Sequence, residues 1–142
     1  MLALMRGLSR LLPQAFPVAL ALSFAVAPVG TASAQAPVGS ASEDQKAQAS
    51  AAYKIGKTAF DEGRLDDALT AFESSYSIVA SPNALLMVAT TQAAMGRKAE
   101  AYETFERVSK EANAAAQDDP EYTRTAETAW SKREELASQV GK

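Results

Sequence analysis

The sequence predicts an all-α fold of two helical hairpins followed by one further helix, five helices in all. One sequence unit occurs twice between Ala52 and Val108, and the two copies are offset by 33 residues. The matched pairs are Ile55 and Val88, Thr58 and Thr91, Gly63-Arg64 and Gly96-Arg97, Ala68 and Ala101, and Phe72-Glu73 and Phe105-Glu106. A fixed offset held at separate points indicates a repeated structural unit.

Within each unit, apolar residues recur at helical spacing on both sides of a glycine. Gly63 and Gly96 each follow a periodic segment, where glycine supplies the left-handed conformation that ends a helix. The apolar residues are Tyr53, Ile55-Gly56, Ala59-Phe60, Leu65, Ala68-Leu69, Phe72, Tyr76 and Val79 in the first unit, and Leu85, Val88-Ala89, Ala93, Ala101-Tyr102, Phe105 and Val108 in the second. Each unit is therefore predicted to be a helix, a turn and a second helix.

Small residues are placed where two helices of one unit would cross. Gly56 is expected opposite Ala68, and Ala89 opposite Ala101, so that the helices approach closely while Phe72 and Phe105 fill the space beside them. The small residue in the first helix, followed by Ala68-x3-Phe72 or Ala101-x3-Phe105 in the second, resembles the tetratricopeptide repeat.

The resemblance covers about residues 49–113 and implies a right-handed, solenoid-like stack with units at about 49–81 and 82–114. The sequence departs from the family signature at its two aromatic positions. Ala52 and Leu85 stand in place of the tryptophan, and Ala59 and Gln92 in place of the tyrosine. The period is also one residue shorter than the usual ~34.

A final helix is predicted at about 119–140. Asp118-Asp119-Pro120-Glu121 is typical of a helix start, and Tyr122, Ala126, Ala129-Trp130, Leu136-Ala137 and Val140 follow at helical spacing. Two repeats alone leave an apolar face exposed, so we expect this helix to cap the stack.

The first 34 residues have the pattern of a secretory signal peptide. Arg6 and Arg10 precede an apolar stretch that is densest over 18–27, and Ala32-Ser33-Ala34 is a small-x-small cleavage pattern. The alternative is an uncleaved membrane anchor, although the uninterrupted apolar run is short for a span of ~20 residues. A flexible leader over 35–43 and a helical domain over 44–142 are predicted to follow.

Composition narrows the possible functions. The chain has no Cys and no His, and removal of residues 1–34 takes away two of its 14 basic residues and none of its 17 acidic ones, leaving a net charge of −5. A net acidic chain lacks the basic stripe that nucleic acid requires and the polybasic face that anionic lipid requires. We expect no cofactor and no metal, because the acidic pairs Asp61-Glu62 and Asp66-Asp67 suit helix ends better than a Ca²⁺ loop.

The repeat resemblance implies that the first helix of each unit lines a concave partner-binding groove. The corresponding residues are Tyr53, Lys54, Lys57 and Asp61 in the first unit, and Asn83, Leu86, Met87 and Thr90 in the second.

The predicted function is non-catalytic binding of a partner peptide or helix in the bacterial periplasm, or outside the cell. One alternative is a structural subunit that self-associates through the same residues, and a periplasmic hydrolase ranks well behind. A second open question is whether the last helix, through Trp130 or Tyr122, covers Leu86 and Met87.

Processing is testable directly. We expect the exported chain to begin at Gln35, because the Ala32-Ser33-Ala34 pattern ends the signal region. Intact-mass measurement on envelope fractions checks this. A full-length chain that stays with the membrane after carbonate washing would identify residues 1–34 as an anchor.

Overall fold

Five α-helices make up most of the chain described by the computed structural model, which covers residues 35–141. The helices are α1 (Glu43–Asp61), α2 (Leu65–Ile78), α3 (Pro82–Ala94), α4 (Lys98–Ala115) and α5 (Tyr122–Ala137). The all-α prediction with two hairpins and a further helix is confirmed. The predicted signal peptide lies outside the described residues.

Both hairpin turns are built on a glycine with positive φ, as predicted. Gly63 has φ 76° and Gly96 has φ 78°. The turns share one hydrogen-bond pattern, because Arg64 N–H donates to the Ala59 carbonyl at 2.9 Å and Arg97 N–H donates to the Gln92 carbonyl at 2.9 Å. These bonds satisfy carbonyls at the helix end that would otherwise lack a partner. The repeat seen in the sequence is therefore also a repeat of backbone conformation.

The helices pack in chain order, each against the next, and α5 also contacts α3. The core between them contains two fully buried phenylalanine rings, Phe72 from α2 and Phe105 from α4. Ala68 and Ala101 are also fully buried, one turn before each ring. Burial of both members of each Ala-x3-Phe motif agrees with the predicted packing.

Gly56 sets how closely α1 approaches α2. A Cβ atom added at this position would lie 2.7 Å from Cδ1 of Phe72 and 2.8 Å from Cε1, well inside van der Waals contact. The sequence predicted Gly56 opposite Ala68, whereas the structure places the glycine against the ring of Phe72. The absence of a side chain at Gly56 is thus what allows the ring to lie flush with α1.

The helix starts follow local sequence signals, with one shift. Ser42 caps α1 through a capping box with Gln45, in which the Gln45 N–H donates to the Ser42 hydroxyl at 3.2 Å and the Ser42 N–H donates to the Gln45 side chain at 2.9 Å. Ser81 precedes Pro82 at the start of α3, and its side chain makes no capping hydrogen bond. In contrast, α5 begins at Tyr122 and not at about 119, because Asp119 Oδ1 accepts the Glu121 N–H at 3.0 Å within a turn.

Two large apolar side chains assigned to helix faces by the sequence are exposed. Ile55 is 64% exposed although its repeat equivalent Val88 is only 4% exposed. The difference follows from position in the stack, since α3 contacts α2, α4 and α5 whereas α1 packs mainly against α2. Trp130 is 60% exposed because α5 turns Ala126, Ala129 and Leu136 toward the core instead.

Residues 35–41 form a strap across the junction of the two repeats. The sequence predicted a flexible leader here, but β1 (Ala36–Pro37) pairs in parallel with β2 (Val79–Ala80), the link between α2 and α3. A small satellite core joins Ala36 and Ala41 of the strap to Ala49 and Val79. The sequence carries no sign that residues 35–41 pack on the helical body, because the buried residues of this segment are alanines and its hydrophobicity is low. The small size of alanine suits the close approach of β1 to β2.

Overpacking tests the crossing of the helices within each hairpin. We expect Ala68→Leu or Ala101→Leu to lower the free energy of unfolding by ~1–3 kcal/mol, because both positions are fully buried and the added methylenes force neighbours to shift. Chemical denaturation monitored by circular dichroism measures the change. Unchanged midpoints would contradict the buried crossing.

The contact of Gly56 with Phe72 gives a second stability test. Gly56→Ala raises helix propensity by about 1 kcal/mol, yet we expect a net loss of stability, since the new methyl group overlaps a buried ring. Gly39→Ala is the matched control, because a Cβ there meets nothing within 4 Å. In a Phe72→Leu background the cost of Gly56→Ala should shrink; the same cost in both backgrounds would show that the ring is not what excludes the methyl group.

Candidate partner-binding groove

A groove of about 430 Å³ lies between the amino-terminal half of α1 and the amino-terminal half of α3. Its walls come from both helices, its floor from the end of α2 and from β2, and one end from the strap. The lining residues are Val38, Lys46, Ala49, Ser50, Tyr53, Ser75, Val79, Ser81, Asn83, Ala84, Leu86 and Met87. The groove thus spans both repeats, as a surface formed by neighbouring first helices would.

The side chains that give the groove its apolar character are anchored by the core. Leu86 and Met87 are half-buried and pack against the main core while also lining the groove. Tyr53 packs edge-on against Phe72, with ring centroids 5.4 Å apart. Because these core contacts hold each side chain in place, the apolar wall of the groove is preformed in the absence of a ligand.

The floor is closed by a polar contact between helices. The buried Ser75 hydroxyl donates to the backbone carbonyl of Ala49 at 2.8 Å, which joins α2 to α1 directly beneath the groove. A buried hydroxyl with a partner costs little, whereas an unpaired one would cost about 1–3 kcal/mol. The role of Ser75 is not visible in the sequence, because its neighbours Ser74 and Ser77 make it resemble part of an ordinary polar face.

Charge is scarce along the groove. Lys46 is the charged side chain among the lining residues, and its Nζ lies 2.9 Å from Glu43 Oε1 of the same helix. Both partners are largely exposed, so the pair adds little net field. The chemistry of this surface therefore favours apolar side chains over a charged ligand.

Half of the residues predicted for partner contact converge on the groove. Tyr53, Asn83, Leu86 and Met87 line it. Lys57 forms an ion pair with Asp61 along α1, with Nζ 2.5 Å from Oδ1. The Thr90 hydroxyl donates to the Leu86 carbonyl at 2.8 Å, and neither Thr90 nor Lys54 is part of the lining.

Val38 and Val79 belong to the groove but were not predicted as site residues. Val38 comes from the strap and Val79 from β2, outside the first helices that the repeat resemblance singles out. The short apolar run at 78–80, just before Pro82, was a usable signal for a buried link. Nothing in the local sequence indicates that Val38 lies at the groove, since its position depends on the pairing of β1 with β2.

The last helix leaves the groove open. Neither Trp130 nor Tyr122 is among the lining residues, and Trp130 lies instead beside a cavity of about 550 Å³ that also contacts Ser109 and Asn113 of α4. At the rim, α5 meets α3 through Thr125, whose hydroxyl donates to Asn83 Oδ1 at 2.6 Å. The predicted alternative, in which α5 covers Leu86 and Met87, does not match this arrangement.

A second, more polar cavity of about 830 Å³ lies on the other side of the strap, where Gln35, Pro37 and Val38 contribute to its wall. The hydroxyl of Tyr76 donates to Glu111 Oε2 at 2.7 Å, which joins the two repeats. Burial, followed by the hydrogen bond to Glu111, raises the pKa of Tyr76. Burial likewise raises the pKa of Tyr122, although a hydrogen bond with Ser81 acts in the opposite direction.

Three of the four acidic residues around the first turn have cationic partners. Arg64 reaches both Glu62 and Asp67, each at 2.5 Å, while Asp61 is held by Lys57. Within residues 35–141 no group of three or more Asp or Glu side chains is arranged to hold a metal ion. The same described part of the chain contains no helix that is long and apolar enough to cross a membrane.

Comparison with known proteins supports the repeat architecture. No curated protein and no solved structure matches the chain. The family model of the tetratricopeptide repeat matches residues 83–112, which coincide with α3, the turn at Gly96 and most of α4. This match in the second unit, together with the same hairpin repeated in the first, supports a tetratricopeptide repeat-like architecture for the helical part of the chain.

Proposed function

We propose that this protein is a non-catalytic binding module of the bacterial envelope, and that the groove between α1 and α3 holds an apolar segment of a partner protein. Tetratricopeptide repeats generally mediate protein–protein interaction. The observation that carries the proposal is the convergence of Tyr53, Leu86 and Met87 on one open groove that spans both repeats.

The dimensions and residue types of the groove suit a short peptide or one face of a helix. A volume of about 430 Å³ accommodates a few apolar side chains. Met87 is unbranched and polarisable, so it adapts to partner side chains of different shape, and Tyr53 offers a rigid ring. An amphipathic helix that presents apolar residues at i, i+3 and i+4 is one recognised occupant of such a surface.

The lining does not favour catalysis. Among the twelve groove residues there is no carboxylate, and the chain as a whole has no His or Cys to act as base or nucleophile. The serines that line it, Ser50, Ser75 and Ser81, therefore have no histidine partner, and the one lysine in the lining, Lys46, is paired with Glu43. The repeat family is also generally non-catalytic. The signal peptide predicted from residues 1–34 supports the proposal that this module acts in the periplasm.

The groove is tested by substitution. We expect Leu86→Glu with Met87→Lys, which leaves net charge unchanged, to weaken partner binding by at least ~30-fold, since loss of apolar anchors at an interface centre commonly costs ~2 kcal/mol or more. The measurement is capture of partners from the native envelope extract by the exported protein, quantified by mass spectrometry and followed by calorimetry with the recovered partner. Ile55→Glu with Thr58→Lys is the control, because both residues are exposed on α1 outside the groove.

A second variant guards against a simple loss of folding. Leu86 and Met87 are half-buried, so the double variant is first checked by thermal melting. Ser50→Trp fills the groove from an exposed position on α1 without removing any core atom, and should block binding equally. Unchanged capture by Ser50→Trp would contradict the proposal. Recovery of this chain alone, lost in the same variants, would favour the self-associating subunit.

A further inference from the structure

The strap begins at the residue that signal cleavage is predicted to expose. Gln35 is the first described residue and is exposed, and Ala36 directly after it is buried and paired with Val79. The side-chain amide of Gln35 donates through Nε2 to the backbone carbonyl of Tyr76, at the end of α2. No spacer therefore separates the predicted cleavage site from the folded body.

We propose that Gln35 is a site of N-terminal modification, at which the mature chain closes to pyroglutamate, and that docking of the strap slows this closure. The inference rests on the predicted cleavage after Ala34. In the reaction, the nitrogen of the new α-amine forms a bond to Cδ of the same residue, and the bond from Cδ to Nε2 breaks. Nε2 leaves as ammonia and takes up the proton that the amine releases, so no oxidant, reductant or further reactant is needed.

The leaving nitrogen is also the hydrogen-bond donor that fixes the strap. While Nε2 is bound to the Tyr76 carbonyl, the amide group is directed toward α2. The five-membered lactam has no Nε2 and cannot make this bond. Closure in the folded protein therefore requires prior release of the side chain, whereas an unfolded chain has no such requirement.

Pairing of Ala36 with Val79 adds to the effect by holding the backbone on the carboxyl side of the reacting residue. A typical hydrogen bond has a net value of about 1 kcal/mol, which corresponds to about a fivefold change in the reactive population. We expect the folded protein to lose ammonia about fivefold more slowly than the unfolded chain. The product would carry neither the α-ammonium charge nor the donor to Tyr76, so modification would loosen the strap.

The experiment uses the exported protein, purified from the envelope at mildly acidic pH. The α-amine, whose ordinary pKa is about 7.7–8.0, is then mostly protonated and unreactive. Intact mass, with tandem mass spectrometry of the N-terminal peptide, first establishes whether the chain starts at Gln35 and whether that residue is open or already closed. Incubation at mildly alkaline pH follows, in native buffer and in guanidinium chloride, with loss of one ammonia recorded by intact mass over time.

Two strap variants test whether docking of the strap, and not a change in its sequence as such, controls the rate of closure at Gln35. Ala36→Asn places a polar side chain at a buried position and should undock the strap, raising the native rate to that of the unfolded chain. Ser40→Asn alters an exposed strap residue and should leave the native rate unchanged. Equal rates in native buffer and in denaturant, or a protein already fully closed when isolated, would overturn control by the strap. A mature chain that starts at any other residue would remove Gln35 as the site, whatever the outcome for the groove.

Discussion

The contact between the ring of Phe72 and the bare backbone of Gly56 is the constraint on which the first hairpin depends. Because no Cβ intervenes, the ring lies against α1 and meets the edge of Tyr53. Tyr53 is thereby held at the wall of the groove, opposite Leu86 and Met87. The close packing of Phe72 on Gly56 in the core therefore also determines where the Tyr53 side chain lies at the groove.

Position in the stack decides what a repeated residue does. Ile55 and Val88 occupy equivalent places, but only Val88 lies between helices on both sides, and their burial differs accordingly. In arrays of this kind each unit contacts only its neighbours, so a terminal unit keeps an uncovered side. At the other end α5 covers the stack, with its alanines inward and Trp130 outward.

The helical architecture could be predicted because its signals are local and occur twice. The glycine at each turn and the Ala-x3-Phe motifs act within a few residues, and the structure uses both as expected. The start of α5 was misplaced by about three residues, since Asp119 accepts a backbone N–H inside a turn and not at the first helical residue.

Only some of the residues that line the groove could be predicted, because the others are brought there by contacts between segments distant in the sequence. Tyr53, Asn83, Leu86 and Met87 follow from the repeat, in which first helices line one surface. Val38 reaches the groove only through the pairing of two-residue strands separated by more than forty positions. Such pairing carries no signal in a segment of alanine, proline and glycine, which by composition resembles a linker.

The distribution of charge explains how a chain with an excess of acidic residues presents an apolar groove. Carboxylates near the hairpin turns are held by Arg64 and Arg97, and those along α4 by Arg107 and Lys110. Every partner in these pairs keeps at least about a third of its side chain exposed, so the pairs contribute little to stability. The groove itself has one lysine, already paired within α1. The recognition proposed for the groove therefore depends on shape and buried apolar area, whereas net charge acts mainly on the rate of encounter with other molecules.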